Sequence, residues 1–489
     1  MSWLLPMEIW LMIIDELGAE REYDALEACA RATEGSIQER AWRYVPDEMA
    51  FRTQEDVTSI NLALRWEGPF KVRIEGGRRS GERLLIPHLA TFASRLARKW
   101  TRVEILTIER AEWRVQDLDP HTLLLNLECF SISSLHLHDV TFPSILTFWR
   151  LVTFWRLICA LPHLDNLYLY DVEIVKTAAN VQTALCLLPA SQIRCIHLPT
   201  PPPTKPVVGR PQSFARHSVP LLILWDITLP TAAAFARVLV ALPALIILVI
   251  NGPCTFSEHG LNPSDVPLRP DMLKKLTTVE LGKSFSLFSD PQSVHDLVDI
   301  FVQSGASGHL TEIMAWLYQS LHVATSIDVA LNRLVKHAGQ LLRKLNLRVL
   351  SQDNSWLCNE VSTYATPSTA RCFDISANTY LGYFLYSVEI IHDDDSTISA
   401  VVELLHQVTS AHISHVNLIF CVMDEADLAK WWTSLPQLDA ALSREVFHML
   451  DTVRIRFFRG NNCREIPVAA VRTWLPGLDA RDILRCVPP

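Results

Sequence analysis

The chain has 489 residues, 49% hydrophobic and 20% charged, which is globular composition and too apolar for disorder over most of its length. Its formal net charge of −9 gives no support to general polyanion binding, and only 16 glycines leave little room for collagen-like or phosphate-cradling segments. The length suits about three ordinary domains or one repetitive array.

Residues 1–60 hold 13 acidic and 5 basic side chains, whereas residues 71–114 hold 11 basic and 5 acidic. An acidic head of this kind points to a separate N-terminal module. Residues 4–46 read as three short helices. The first is LPMEIWLMIIDELG, with Pro6 suited to the first helical position and Ile9, Trp10, Ile13, Ile14 and Leu17 on helical spacing. Gly18 reads as its stop. The second covers about Asp24–Thr33, with Leu26, Cys29 and Ala30 on one side; the third opens on a Ser36–Glu39 capping box and stops before Pro46. Three helices of this size cannot close a generous core alone and leave apolar surface for something else to cover.

From about residue 69 an apolar triplet at positions x, x+3 and x+5 keeps returning. It begins with Val103/Leu106/Ile108, Ile132/Leu135/Leu137 and Leu164/Leu167/Leu169, and ends with Ile413/Val416/Leu418 and Leu450/Val453/Ile455. Twelve copies have first positions 26 to 39 residues apart, with Val72/Ile74 as an earlier relative. Positions x+3 and x+5 share a strand face, and helix-like stretches such as 231–240, 293–303 and 397–408 lie between triplets. One strand and one helix per unit predicts an α/β solenoid of parallel strands with outer helices. The apolar run 231–250 is interrupted by Arg237 and Pro243 and reads as a buried helix and strand, not a membrane span. PTPPPTKP at 199–206 excludes a helix there, and TFWRL at 147–151 and 153–157 reads as a local duplication.

The 11 cysteines include no CxxC pair, which suits thiols in a reducing compartment, cytoplasmic and/or nuclear. No secretory signal is expected, because Glu8 and Asp15 interrupt the N-terminal apolar run. Nucleophile elbows, Walker loops, dinucleotide glycines and zinc helices are not present in the required form, so neither a catalytic centre nor a cofactor is expected. Gly76–Gly81 reads as a basic surface turn, His392–Asp395 as a helix start, and the Trp431–Trp432 pair as core or partner contact.

The LPMEIWLMIIDEL opening and the two short helices after it resemble the F-box, especially that of many basidiomycete fungal proteins, which often continue into irregular leucine-rich repeats. The resemblance divides the chain into an F-box-like helical module at 1–46, a connector and first repeat at 47–100, a leucine-rich-repeat solenoid at 101–475 and a tail at 476–489. It implies a substrate-recognition subunit of a cullin-type ubiquitin ligase that docks on the Skp-type adaptor. The adaptor-facing candidates are Leu5, Pro6, Ile9, Ile13, Leu17, Leu26, Cys29 and Trp42. The family's Val-Cys-x-x-Trp block is replaced by Cys29–Gly35, and the asparagine three residues after the last leucine by Val140, Val172, Ile227, Leu350 or Cys421, so the curvature should be irregular. A non-catalytic repeat scaffold with a degenerate F-box is the second reading, and an α/β enzyme with an unrecognised site the third. Target binding is expected on the strand residues between the buried ones, where adjacent repeats stack His136, His138, Tyr168 and Tyr170; this mixed surface suits a protein target rather than nucleic acid or membrane.

Overall fold

In the computed structural model eleven of the twelve triplets lie on or lead into short parallel strands. The structure describes residues 6–33, 35–60, 62, 66–113, 123, 126–142, 161, 163–174, 219–240, 242–261, 273–318, 321–323, 325–350, 372–388, 396–422, 425–459 and 468–485. Leu5, the Ile193/Ile196/Leu198 triplet, the TFWRL duplication, PTPPPTKP and His392–Asp395 lie outside the described residues. The chain forms two units, Met1–Val219 and Pro220–Pro489.

The first unit opens with α1 (Met7–Ala19), α2 (Tyr23–Ala32) and α3 (Ser36–Tyr44). Their shared core is Ile14, Leu26, Ala30, Ile37, Ala41 and Val45. Two local readings are corrected. Gly18 does not stop α1; a Cβ there would lie 2.4 Å from a Tyr44 ring carbon, so glycine is the residue that lets α3 approach. Ser36 and Glu39 form no capping box; Gly35, in the left-handed region at φ 68°, precedes α3 and its carbonyl accepts from Glu39 N–H at 3.0 Å. Pro6 stands one residue before α1 and its carbonyl accepts from the Ile9 and Trp10 N–H groups.

The strands of this unit are β1 (Glu48–Phe51), β2 (Lys71–Glu75), β3 (Leu84–Leu85), β4 (Ile105–Glu112), β5 (Ser134–Phe142) and β6 (Asn166–Ile174). Their order is β1-β2-β4-β5-β6, with β3 on β4. The second unit continues with β7 (Leu221–Thr231), β8 (Ile247–Ile250), β9 (Cys254–Glu258), β10 (Thr278–Leu281), β11 (Glu312–Tyr318), β12 (Lys344–Leu350), β13 (Tyr383–Val388), β14 (His415–Val422), β15 (Thr452–Arg459) and β16 (Leu484–Arg485). Here the order is β7-β8-β10-β11-β12-β13-β14-β15-β16, with β9 on β7. Every described ladder between strands is parallel, and within each unit each strand of the main row lies beside the next in sequence. A doubly wound sheet reverses its strand order at a switch point; a repeat array does not. The chain is thus α/β with a parallel, solenoid-like sheet and outer helices.

Register follows the triplet. Leu106, Leu135 and Leu167 are partners across β4, β5 and β6, and Ile313, Leu345, Phe384, Val416 and Val453 across β11 to β15; all are buried. Residues 231–250 fold as the expected buried helix, Ala232–Val240, and strand, β8. Among the described residues no helix is long and apolar enough to cross a membrane.

In β4, β5, β6 and β7 the residue at x+7 has positive φ: Arg110 at 49°, Asp139 at 55°, Asp171 at 49° and Asp226 at 54°. The left-handed region favours glycine, and among the other residues aspartate and asparagine. The ladders skip this residue and resume with Ala111↔Val140 and Val140↔Val172. Its neighbours are split at the same level: β2 and β3 flank Arg110, as β8 and β9 flank Asp226. The bulge shifts inward parity by one, so the residues at x+8 are buried apolar side chains: Ala111, Val140, Val172 and Ile227. This is the place where an asparagine was expected and found missing.

Candidate functional site

Two surfaces collect the residues that the sequence singled out. The first is the outside of α1. The amphipathic spacing sends Ile14 into the three-helix core with Trp10 and Leu17 packed against it. It leaves Ile9 40%, Met12 66% and Ile13 37% exposed, with Met7 and Pro6 also exposed. Ile9, Met12 and Ile13 are related by three and four residues, so they form one stripe. The remaining adaptor-facing candidates are turned elsewhere. Leu26 is buried in the helical core, while Leu17, Cys29 and Trp42 are half-buried against it.

The second and third helices of the module are engaged by the segment that follows. Arg102 lies over the Trp42 ring at 5.8 Å and pairs with Glu27 at 3.1 Å, and Tyr23 meets Trp66 with ring centroids 4.8 Å apart. The α1–α3 angle is held by Asp15, which accepts from Arg40 and from the Tyr44 hydroxyl at 2.9 Å. Arg40, then Tyr44, keeps the Asp15 carboxyl below its ordinary value. α1 is thus tied to α3, and among the described residues its outer stripe is an exposed apolar face of the module.

The second surface is the outward face of the strands, at x+4 and x+6. In the first unit, alignment of β5 with β6 places His136 against Tyr168 at 4.2 Å and His138 against Tyr170 at 6.0 Å, and the two tyrosine rings are parallel with centroids 6.2 Å apart. Burial, and then the charge of Lys71, lowers the His136 pKa to about 4, so this imidazole is neutral at ordinary pH. Burial and then Tyr168 raise that of Tyr170.

Beside this ladder lies an ion-pair network. The Glu75 carboxylate is 2% exposed and lies 2.8 Å from Arg52, 2.8 Å from Arg110 and 3.7 Å from Arg73. Burial alone would raise its pKa; Arg52, Arg110 and Arg73 outweigh that and hold it below the ordinary value. The Gly76–Gly81 turn folds back on the bulges. A Cβ on Gly77 would lie 1.7 Å from the Glu82 carbonyl oxygen, so only glycine fits. Gly81 N–H donates to Asp139 at 3.1 Å, and Arg83 pairs with Asp139, with Glu173 at 2.6 Å and with Asp171 at 3.4 Å. The turn is structural.

No protein-family model matches the chain, and no curated protein matches it significantly in sequence. The candidate surfaces therefore rest on their own geometry. In the second unit the same outward rows carry Trp225, Met314, Trp316, Asn346, Arg348, Asn417, Arg454 and Arg456. The Trp316 ring meets Arg348 at 5.2 Å and Lys283 at 5.8 Å. Asn346 and Asn417 each have a solvent-inaccessible oxygen, and Arg348 and Arg456 a solvent-inaccessible Nε, with no hydrogen-bond partner among the described residues. Trp316 and Met314 were missed from sequence because their triplet, Leu310/Ile313/Ala315, is the weakest copy; the offsets x+4 and x+6 find both. A cavity of about 170 Å³, lined by Glu20, Arg21, Tyr23, Trp66, Lys99 and Trp100, lies under the helical module and is smaller than usual ligand pockets.

Proposed function

We propose that the chain is a non-catalytic bridge: an F-box-like module that docks on a Skp-type adaptor, followed by leucine-rich-repeat-like units that hold a protein target for a cullin-based ubiquitin ligase. The observation that carries this reading is the α1 stripe of Pro6, Ile9, Met12 and Ile13, exposed on a module whose other helices are already engaged by Arg102 and Trp66. An exposed apolar stripe flanked by Glu8 and Glu16 suits a protein groove better than nucleic acid or an anionic membrane. The reducing compartment suggested by the cysteines, cytoplasm or nucleus, is where such a ligase works.

The test is titration of the full chain with a purified Skp-type adaptor. Changing Ile9 and Ile13 together to Asp should weaken binding by roughly 100-fold or more, because each isoleucine forfeits about 1.5–3 kcal/mol of burial. Both side chains are exposed, so thermal stability should hold. Equal adaptor binding by wild type and double mutant would discard the α1 stripe as the docking face, and no binding by wild type would discard the bridge.

The burial of Leu26 and the capture of Trp42 by Arg102 favour the second reading, a repeat scaffold with a degenerate F-box. That reading expects no adaptor binding by wild type but unchanged target capture. On the target side, replacing Tyr168 and Tyr170 by alanine should reduce captured partners with little loss of stability, since cross-strand aromatic pairs are worth about 0.2–1 kcal/mol. Unchanged capture would move the target to the Trp316–Arg348 surface.

A further inference from the structure

The connectors that follow β11, β12 and β13 meet at one point. His322 lies just after β11, Cys372 in the segment leading into β13, and Glu403 on the helix Ser396–His406 after β13. An isolated antiparallel bridge joins His322 to Cys372, and Phe373 N–H donates to the Leu321 carbonyl at 3.1 Å. The Cys372 segment is fixed again at Asp374, whose N–H donates to Asn332 at 2.7 Å and whose carboxylate pairs with Lys336 at 3.1 Å.

These three backbones aim an imidazole, a thiol and a carboxylate at one another. One donor atom of each lies within 4.8 Å of the other two, and His322 Nε2 is 4.0 Å from Glu403 Oε2. Cys372 is buried, while the His322 and Glu403 side chains are 26% and 55% exposed. Tyr386, at the inward position of the strand that follows Cys372, is fully buried, and its hydroxyl has no hydrogen-bond partner among the described residues. Burial, and then the charge on Cys372, suppress its acidity.

We infer that His322, Cys372 and Glu403 form a three-ligand site for a borderline-soft divalent cation of the zinc class. Nitrogen, thiolate and carboxylate are the mixed set that zinc accepts, whereas calcium and magnesium take oxygen ligands. Tetrahedral coordination needs donors about 3.5 Å apart, so the set closes by about 1 Å. Rotation of the part-exposed His322 and the exposed Glu403 side chains can supply that. As the sulfur–metal bond forms, the Cys372 proton leaves to solvent. A fourth position stays open on the solvent side. The cation would tie together the connectors of three neighbouring strands.

The test is titration of the full chain with cobalt(II), followed by zinc(II). One equivalent of cobalt should bind and show a thiolate-to-cobalt charge-transfer band that zinc abolishes. Cys372→Ser should remove the band, and Glu403→Gln, at an exposed position that does not threaten folding, should weaken affinity by roughly 10–100-fold. Cys254→Ser, at a buried cysteine outside the trio, should leave both unchanged. Absence of the band in wild type, or its survival in Cys372→Ser, overturns the site. If Cys372→Ser fails to fold, Glu403→Gln decides: full affinity in that variant also overturns it.

Discussion

β4 to β7 and β11 to β15 carry the same apolar triplet and part company two residues after it. In the first group x+7 is Arg110, Asp139, Asp171 or Asp226 with positive φ, and inward parity resumes at x+8. In the second group the strand runs on unbroken, so x+7 itself points inward: Leu317, Val349 and Phe420 are all buried. One residue of backbone conformation thus decides whether a repeat ends its strand on charge or on apolar packing. The ionisable groups follow. Carboxyls held below their ordinary pKa include Asp15, Glu48, Asp56, Glu75, Glu82 and Asp139 in the first unit and Asp374 in the second. The lesson is that one repeat pattern can be closed by electrostatics in one region and by hydrophobic burial in another.

The largest expected effect breaks this contrast at Arg83. Its guanidinium serves Asp139, Asp171 and Glu173 at once, and the Asp139 side chain is only 4% exposed. Arg83→Met leaves a buried carboxylate beside two others and should cost about 3–5 kcal/mol. Hydrogen exchange should show β4, β5 and β6 losing protection while β11 to β15 keep theirs. Equal loss in both groups, or a loss under about 1 kcal/mol, would mean that the bulges do not depend on this arginine.

Much of this architecture was legible. Leu135 and Leu345 could be placed in register because a period of two and a repeat near 30 residues act together, and leucine-rich sequence supplies both. The bulge was not seen, although its signal was present as aspartate at x+7 in three copies, because attention to an asparagine one residue later hid it. The outward pairing of His136 with Tyr168 follows from register alone and was foreseen. The docking of Trp42 on Arg102 was not, because a helix sequence carries no record of which side a later segment will cover. The His322–Cys372–Glu403 trio is likewise invisible to spacing rules, since its members lie 50 and 31 residues apart on three connectors.

Acid sharpens the comparison with a smaller effect. His136 is held neutral, its pKa lowered to about 4 by burial and then Lys71, and burial lowers that of His88 in the same unit. The unfolded chain takes up a proton near the ordinary histidine value, the folded chain only lower. Stability is therefore full above about pH 6.5 and falls as pH drops towards about 4, by at most about 3 kcal/mol for His136. The paired carboxyls add a second loss in more acid solution, as pH falls through their depressed values. Denaturant unfolding followed by a probe in each unit should show the first unit losing stability first. His136→Phe should flatten the upper part of that curve; an unchanged slope would assign it to His88.

The smallest effect is a pair of reciprocal substitutions at x+7. Asp171 has φ 49° and a side chain 59% exposed, so its ion pair with Arg83 is screened and contributes little. Asp171→Asn should be nearly neutral, because asparagine also tolerates the left-handed region, while Asp171→Val should cost about 1–2 kcal/mol through contact of its branched Cβ with the backbone. At Val349, buried and without positive φ, the order inverts. There valine is the fitting residue, and Val349→Asn buries an amide in a site shaped for methyl groups, at a cost of about 1–3 kcal/mol. Four melting curves measure both pairs. If valine is tolerated equally at 171 and 349, then the backbone, not the side chain, sets the bulge, and the aspartates at x+7 follow from it instead of directing it.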